Sequence, residues 1–116
     1  MKSFLPLMTW IEAKEAAERG AVALVPIGST DANGPQNATG LDFLVSSALA
    51  ERAAEATGSV YLPPVAYGVS DGLKGFPGTL GITPQMLGET AEAIMKSLIQ
   101  AGFDHTLDAL ATGRSD

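Results

Sequence analysis

The strongest constraint on this chain is a short apolar run, Ala21 to Ile27, that gives out at Gly28 and opens into a turn-rich loop reaching Asp42. The run follows Gly20, is too short for a helix, and carries Val and Ile, so it predicts a buried strand. Between Pro26 and Asp42 lie Gly28, Gly34, Pro35 and Gly40, with Asp31, Asn33, Asn37 and Asp42 spaced among them. An Ala- and Leu-rich helical pattern begins where the loop ends. A strand end, a loop and a helix start form the place where open α/β sheets hold their ligands. On position alone, the loop is a candidate metal site.

The flanking segments alternate between helix and strand. Thr9 with Glu12 three residues later is a capping-box pair, and it predicts a helix over 10–19 that stops at Gly20. After the loop, Leu44, Val45, Ala48, Leu49 and Ala53 recur at helical spacing. They predict an amphipathic helix over 42–56, stopped by Gly58. Val60 to Tyr67 reads as a second strand in which Pro63 and Pro64 force an edge, a bulge or an early end. Val69 to Gly78 reads as an irregular loop and Thr79 to Ile82 as a brief strand. Thr83-Pro84 places a cap ahead of a proline at the first helical position. Leu87, Ala91, Ile94, Met95 and Leu98 then carry a helix to Ala101, closed by Gly102. Phe103 to Leu107 should begin another strand, although Asp108 follows at once. This alternation predicts a single α/β layered domain over 1–116 with a mainly parallel sheet.

Composition narrows the partners. A formal net charge of −6 with only seven Lys and Arg argues against nucleic acid, whose phosphates demand a basic face. The absence of Cys excludes disulfides, thiolate zinc sites and Cys nucleophiles, leaving oxygen or imidazole ligands for any metal. No apolar run approaches a bilayer span and the N-terminus has no secretory pattern, so a cytoplasmic protein without membrane contact is expected.

With the loop placed, a family resemblance becomes visible. Ser29-Thr30-Asp31-Ala32-Asn33-Gly34-Pro35-Gln36, followed by Gly40 and by Asp42 opening a helix, resembles the creatininase family. The loop of that family runs Gly-Ser-Thr-Glu-Gln-His-Gly-Pro-His and then Gly-Thr-Asp. Leu62-Pro63-Pro64 with Tyr67-Gly68, Gly75-Phe76-Pro77-Gly78-Thr79 and a helix ending in Gly102-Phe103 agree in order and spacing. The resemblance implies a three-layer α/β/α fold, incomplete here because family members are about twice this length. It further implies a homo-oligomeric hydrolase that cleaves amide C–N bonds in small molecules, a cyclic amide or a formamide. Two divalent metals, Zn, Mn or Mg, polarise the carbonyl and activate water in that chemistry.

Carried over by position, Asp42 matches the bridging Asp and Asp31 stands where the family has a ligating Glu one methylene longer. Asn33 stands where the family has a ligating His, a degenerate third donor. Asp71 and Phe76, with Lys74 between them, lie in a segment that resembles a substrate-facing loop. The remaining ligands are expected near Leu110 to Ser115, which offers neither a His nor a carboxylate. Two readings of the chain follow: an amidohydrolase inactive or impaired by itself, and a non-catalytic relic, fragment or assembly module keeping the half-fold.

Each site residue also has a plainer reading. Asp42 would cap the second helix, Asp31 or Asn33 would organise a turn, and Phe76 would serve packing. His105 falls ahead of the family's histidine position and reads as structural or surface. Ser29 and Ser70 lack the base and oxyanion hole of a nucleophile.

Overall fold

The computed structural model describes residues 2–110, the last five of them as backbone. Three parallel strands form the sheet in the order β2-β1-β3, with β1 (Ala23–Ile27) in the centre, β2 (Val60–Tyr61) on one side and β3 (Thr106–Leu110) on the other. Helices α1 (Trp10–Glu18), α2 (Leu41–Thr57) and α3 (Pro84–Gln100) cover the sheet.

Successive side chains of a strand point to opposite faces, and β1 uses both. Ala23, Val25 and Ile27 enter a core with Ala16 of α1, Leu98 of α3, Val60 and Phe103, while Leu24 packs with Ala50 and Ala54 of α2. The sheet therefore lies between α1 and α3 on one face and α2 on the other, the expected α/β/α layering. Every residue of β1 is buried, as its continuous apolar run requires.

The helix boundaries follow from caps legible in the sequence. Thr9 accepts from the Glu12 backbone N–H, and the Glu12 carboxylate accepts from the Thr9 N–H at 2.9 Å, completing the capping box. Thr83 caps α3 through the Met86 N–H with Pro84 at the first position. Gly58 ends α2 at φ +73°, a left-handed conformation suited to glycine.

Four expectations are corrected. The second strand is shorter than 60–67. Tyr61 pairs with Leu24 and Val65 next bridges Ile27, so Pro63 and Pro64 occupy a bulge of one extra residue. Thr79 to Ile82 forms only isolated bridges, Leu80 with Thr30 and Gly81 with Gly68. The last strand does not falter at Asp108: β3 runs beside β1 for its whole length, with Asp108 paired to Val25.

The fourth correction concerns α2, whose apolar stripe is inverted. Its buried residues are Asp42, Ser46, Ala50 and Ala54, while Leu44, Val45 and Leu49 are about half exposed. The reason lies at Gly28. A Cβ built there would sit 2.4 Å from the Phe43 Cα and 2.8 Å from the Asp42 carbonyl carbon, so the first turn of α2 rests directly on the strand end. A helix this close presents its small residues to the sheet and turns its leucines outward.

Two outcomes follow. Gly28→Ala should destabilise the fold by about 1–3 kcal/mol, measured by chemical denaturation, because the contacts it meets are backbone and cannot rotate away. The Glu12 carboxyl is held below its ordinary value of 4.5, first by the Thr9 backbone N–H and then by Lys2. Its contribution to the helix start is therefore complete above that value and is lost as pH falls through the lowered one. An NMR acid titration should show Glu12 titrating low, and Lys2→Met, which removes the ammonium but keeps the Thr9 N–H, should raise it toward the ordinary value.

Candidate metal centre

The loop after β1 returns on itself through backbone bonds before it reaches α2. The Asp31 N–H donates to the Thr39 carbonyl at 2.9 Å, and the Ala32 N–H to Thr79 Oγ1 at 3.0 Å. The Thr30 hydroxyl donates to the Ala66 carbonyl at 2.8 Å. These bonds tie the loop to the 66–80 segment and turn Asp31 inward, where it is fully buried. Asp42 is brought to the same place from the other side by the close approach of α2 to Gly28.

The two carboxylates meet across a serine. Ser29 Oγ lies 2.9 Å from Asp42 Oδ2 and 3.2 Å from Asp31 Oδ2. Ser70 Oγ donates to the same Asp31 oxygen at 3.1 Å, and Asn33 Nδ2 donates to Asp31 Oδ1 at 3.3 Å. Asp31, Asp42, Ser29 and Ser70 are all buried, and no Lys or Arg is among the described partners of either carboxylate. A buried carboxylate costs several kcal/mol unless charge or hydrogen bonds compensate it.

Three oxygen-to-oxygen contacts join Ser29, Ser70, Asp31 and Asp42, and among the described residues every buried side-chain polar atom has a hydrogen-bond partner. The donor set is carboxylate and hydroxyl, which suits a hard ion such as manganese or magnesium. Among the described residues, however, no group of three or more His, Cys, Asp or Glu gathers that could hold a metal ion of any kind.

The sequence-predicted residues divide accordingly. Asp31 and Asp42 are brought together. Asp42 is not the cap of α2, because Gly40 holds that position without a side-chain bond and the Asp42 carboxylate accepts from Ser29 instead. Asn33 organises the turn by donating to the Asp31 carbonyl at 3.0 Å while also reaching its carboxylate. Asp71 opens a short 3₁₀ turn and, with Ser70, Lys74 and Thr79 to Pro84, lines an open groove of about 570 Å³. Phe76 is exposed rather than packed, and the described lining of this groove does not include it. His105 is exposed at the edge of β3, its carbonyl accepting from the Ala23 N–H. Beyond Leu110, the stretch expected to bear further ligands lies outside the described residues.

Ser29 and Ser70 are the residues that sequence reasoning missed, having been weighed only as nucleophiles. A signal existed for Ser29. In an extended run, positions i and i+2 share a face, so Ser29 and Asp31 were placed together by the strand exit itself.

The sequence and the fold match known proteins. The family model for creatininase, described as creatinine amidohydrolase, matches residues 6–107. A mycofactocin precursor peptide peptidase from Mycolicibacterium smegmatis is 40% identical over 67 residues, covering 53% of this chain and 27% of that protein. A creatinine amidohydrolase from Pseudomonas putida is 29% identical over 105 residues, covering 85% of this chain and 40% of that protein. Among solved structures, a creatininase variant of Zn-Zn type superposes at a TM-score of 0.89 with 27% identity, covering 97% of this chain and 46% of that one. A creatininase described with Mn superposes at 0.87 with 26% identity, covering 92% and 44%. The chain thus spans less than half the length of the relatives it matches.

Proposed function

This chain belongs to the creatininase family, and from that premise we propose that its Pro26–Asp42 segment carries one part of a metal-dependent amidohydrolase centre. Asp31 and Asp42 are the carboxylate donors to a divalent cation, and Asn33, through its amide oxygen, is the weaker third. The observation that supports this reading is the pair of buried carboxylates, Asp31 and Asp42, meeting at the Ser29 hydroxyl. Of the metals implied by the family, manganese or magnesium suits these oxygen donors better than zinc.

When bound, a divalent ion polarises an amide carbonyl and acidifies water beside it. The chain's own residues orient that chemistry. Ser29 holds both carboxylates, Ser70 and Asn33 fix the two oxygens of Asp31, and an open groove reaches Ser70, with Asp71 and Lys74 on its wall. Its volume falls within the range of roughly 300–1,000 Å³ usual for small-molecule sites. Hydrolysis of a C–N bond in a small cyclic amide or formamide is the reaction this supports. With no imidazole in the described centre, the segment by itself binds its ion weakly and is impaired in turnover.

A second reading is favoured by a specific feature. Three donors already reach Asp31, so the network also holds as a metal-free relic that keeps the half-fold together. Equilibrium dialysis against Mn²⁺ followed by elemental analysis separates the two. Bound manganese in the wild type, lost in Asp42→Ala, is the expected result; a metal-free wild type replaces the hydrolytic reading with the relic.

Self-association is the partner state this reading includes, because the outward residues Leu44, Val45 and Leu49 leave an apolar stripe on α2. No helix among the described residues is long and apolar enough to cross a membrane. Light scattering should give a mass above that of the monomer, reduced by the Leu44→Asp/Leu49→Asp pair. A wild-type monomer at high concentration would contradict self-association.

A further inference from the structure

We infer that Asn33 is a self-modification site: the backbone nitrogen of Gly34 displaces its side-chain amide, and the carboxylate that results loosens the loop around Asp31. Nothing in this chemistry requires a bound ion.

Asparagine is a thermally labile residue, and the attacking group is the backbone nitrogen of the residue that follows it. Asn33 is followed by Gly34, so no Cβ stands beside that nitrogen, whereas the other asparagine, Asn37, is followed by Ala38. Asn33 and Gly34 lie where neither helix nor strand fixes the backbone, and Gly34 is exposed to water. Among the described residues, the Gly34 N–H donates to no protein acceptor. The carbonyl of the same peptide unit does have a partner, because Asn37 Nδ2 donates to the Asn33 oxygen at 3.0 Å. A hydrogen bond accepted there draws charge from the peptide nitrogen and acidifies its free N–H. The loop thus readies its own nucleophile.

The step needs only water. A bond forms between Gly34 N and Asn33 Cγ, the Cγ–Nδ2 bond breaks, and ammonia leaves with the proton from the Gly34 nitrogen. Water then opens the cyclic imide. Opening at Cγ gives aspartate, and opening at the backbone carbonyl carbon gives isoaspartate, in which the main chain runs through the side chain.

Either product changes the surroundings of Asp31. Asn33 Nδ2 donates to the Asp31 carbonyl at 3.0 Å and to Asp31 Oδ1 at 3.3 Å. A carboxylate has no hydrogen to give, so both bonds are lost and a second acidic group is set against the fully buried Asp31.

The test is peptide mapping by mass spectrometry of the full chain incubated at mildly alkaline pH, beside Gly34→Ala, Asn37→Ala and a wild-type sample unfolded in urea. Thermal melts compare fresh wild type, incubated wild type and Asn33→Asp. The expected result is the mass gain of an amide-to-acid conversion at Asn33 with Asn37 unchanged, slowed in Gly34→Ala and in Asn37→Ala. Incubated protein and Asn33→Asp should both melt a few degrees below the fresh wild type. Folded protein that keeps Asn33 intact while the unfolded sample converts it would overturn the inference, because the fold would then protect the amide. Conversion in Gly34→Ala as fast as in the wild type would overturn it as well. Incubated protein and Asn33→Asp that melt like the fresh wild type would refute the loosening of the loop.

Discussion

The backbone contact at Gly28 is the constraint on which the rest of the structure depends. Because this position lacks a Cβ, the first turn of α2 lies against the end of β1, and the contact sets three things together. It selects the small face of α2, Ser46, Ala50 and Ala54, as the one that meets the sheet. It brings Asp42 beside Ser29. It also leaves the leucines of α2 on the outside, where they shape what the chain can associate with. Fold, site and surface are consequences of one close approach.

Much of this was legible in the sequence, for local reasons. The capping box at Thr9, the proline at the start of α3 and the glycine after α2 act within a few residues, so their signals appeared where the structure uses them. The carboxylates Asp31 and Asp42 were identified by position in the loop and by family resemblance. What was not legible depended on distance in three dimensions. The periodicity of α2 names an apolar face, but which face meets the sheet is decided by a glycine across the interface. Asp108 in β3 reads as a breaker in isolation, yet pairing with the buried central strand overrides its low strand preference. Ser29 and Ser70 are unremarkable in sequence because their importance is a matter of which oxygens they reach.

Comparison with the family sharpens what this chain retains. It matches creatininases over residues 6–107 and superposes on them closely, while spanning less than half their length. Within that span, the resemblance of the loop aligns Asp31 and Asp42 with family carboxylates and Asn33 with a family histidine. The structure gives Asn33 a donor role toward Asp31, a hydrogen bond that steadies the neighbouring carboxylate. In the proposed reading, oxygen donors without imidazole would favour hard cations over zinc.

The central claim is that the convergence of Ser29, Asp31 and Asp42 seats a cation. A crystal structure of protein soaked in manganese, with anomalous data collected above the manganese edge, tests it most directly. The expected result is an anomalous peak beside the Asp31 and Asp42 carboxylates. A map with no peak there, and with Ser29 still touching both carboxylates, would contradict it.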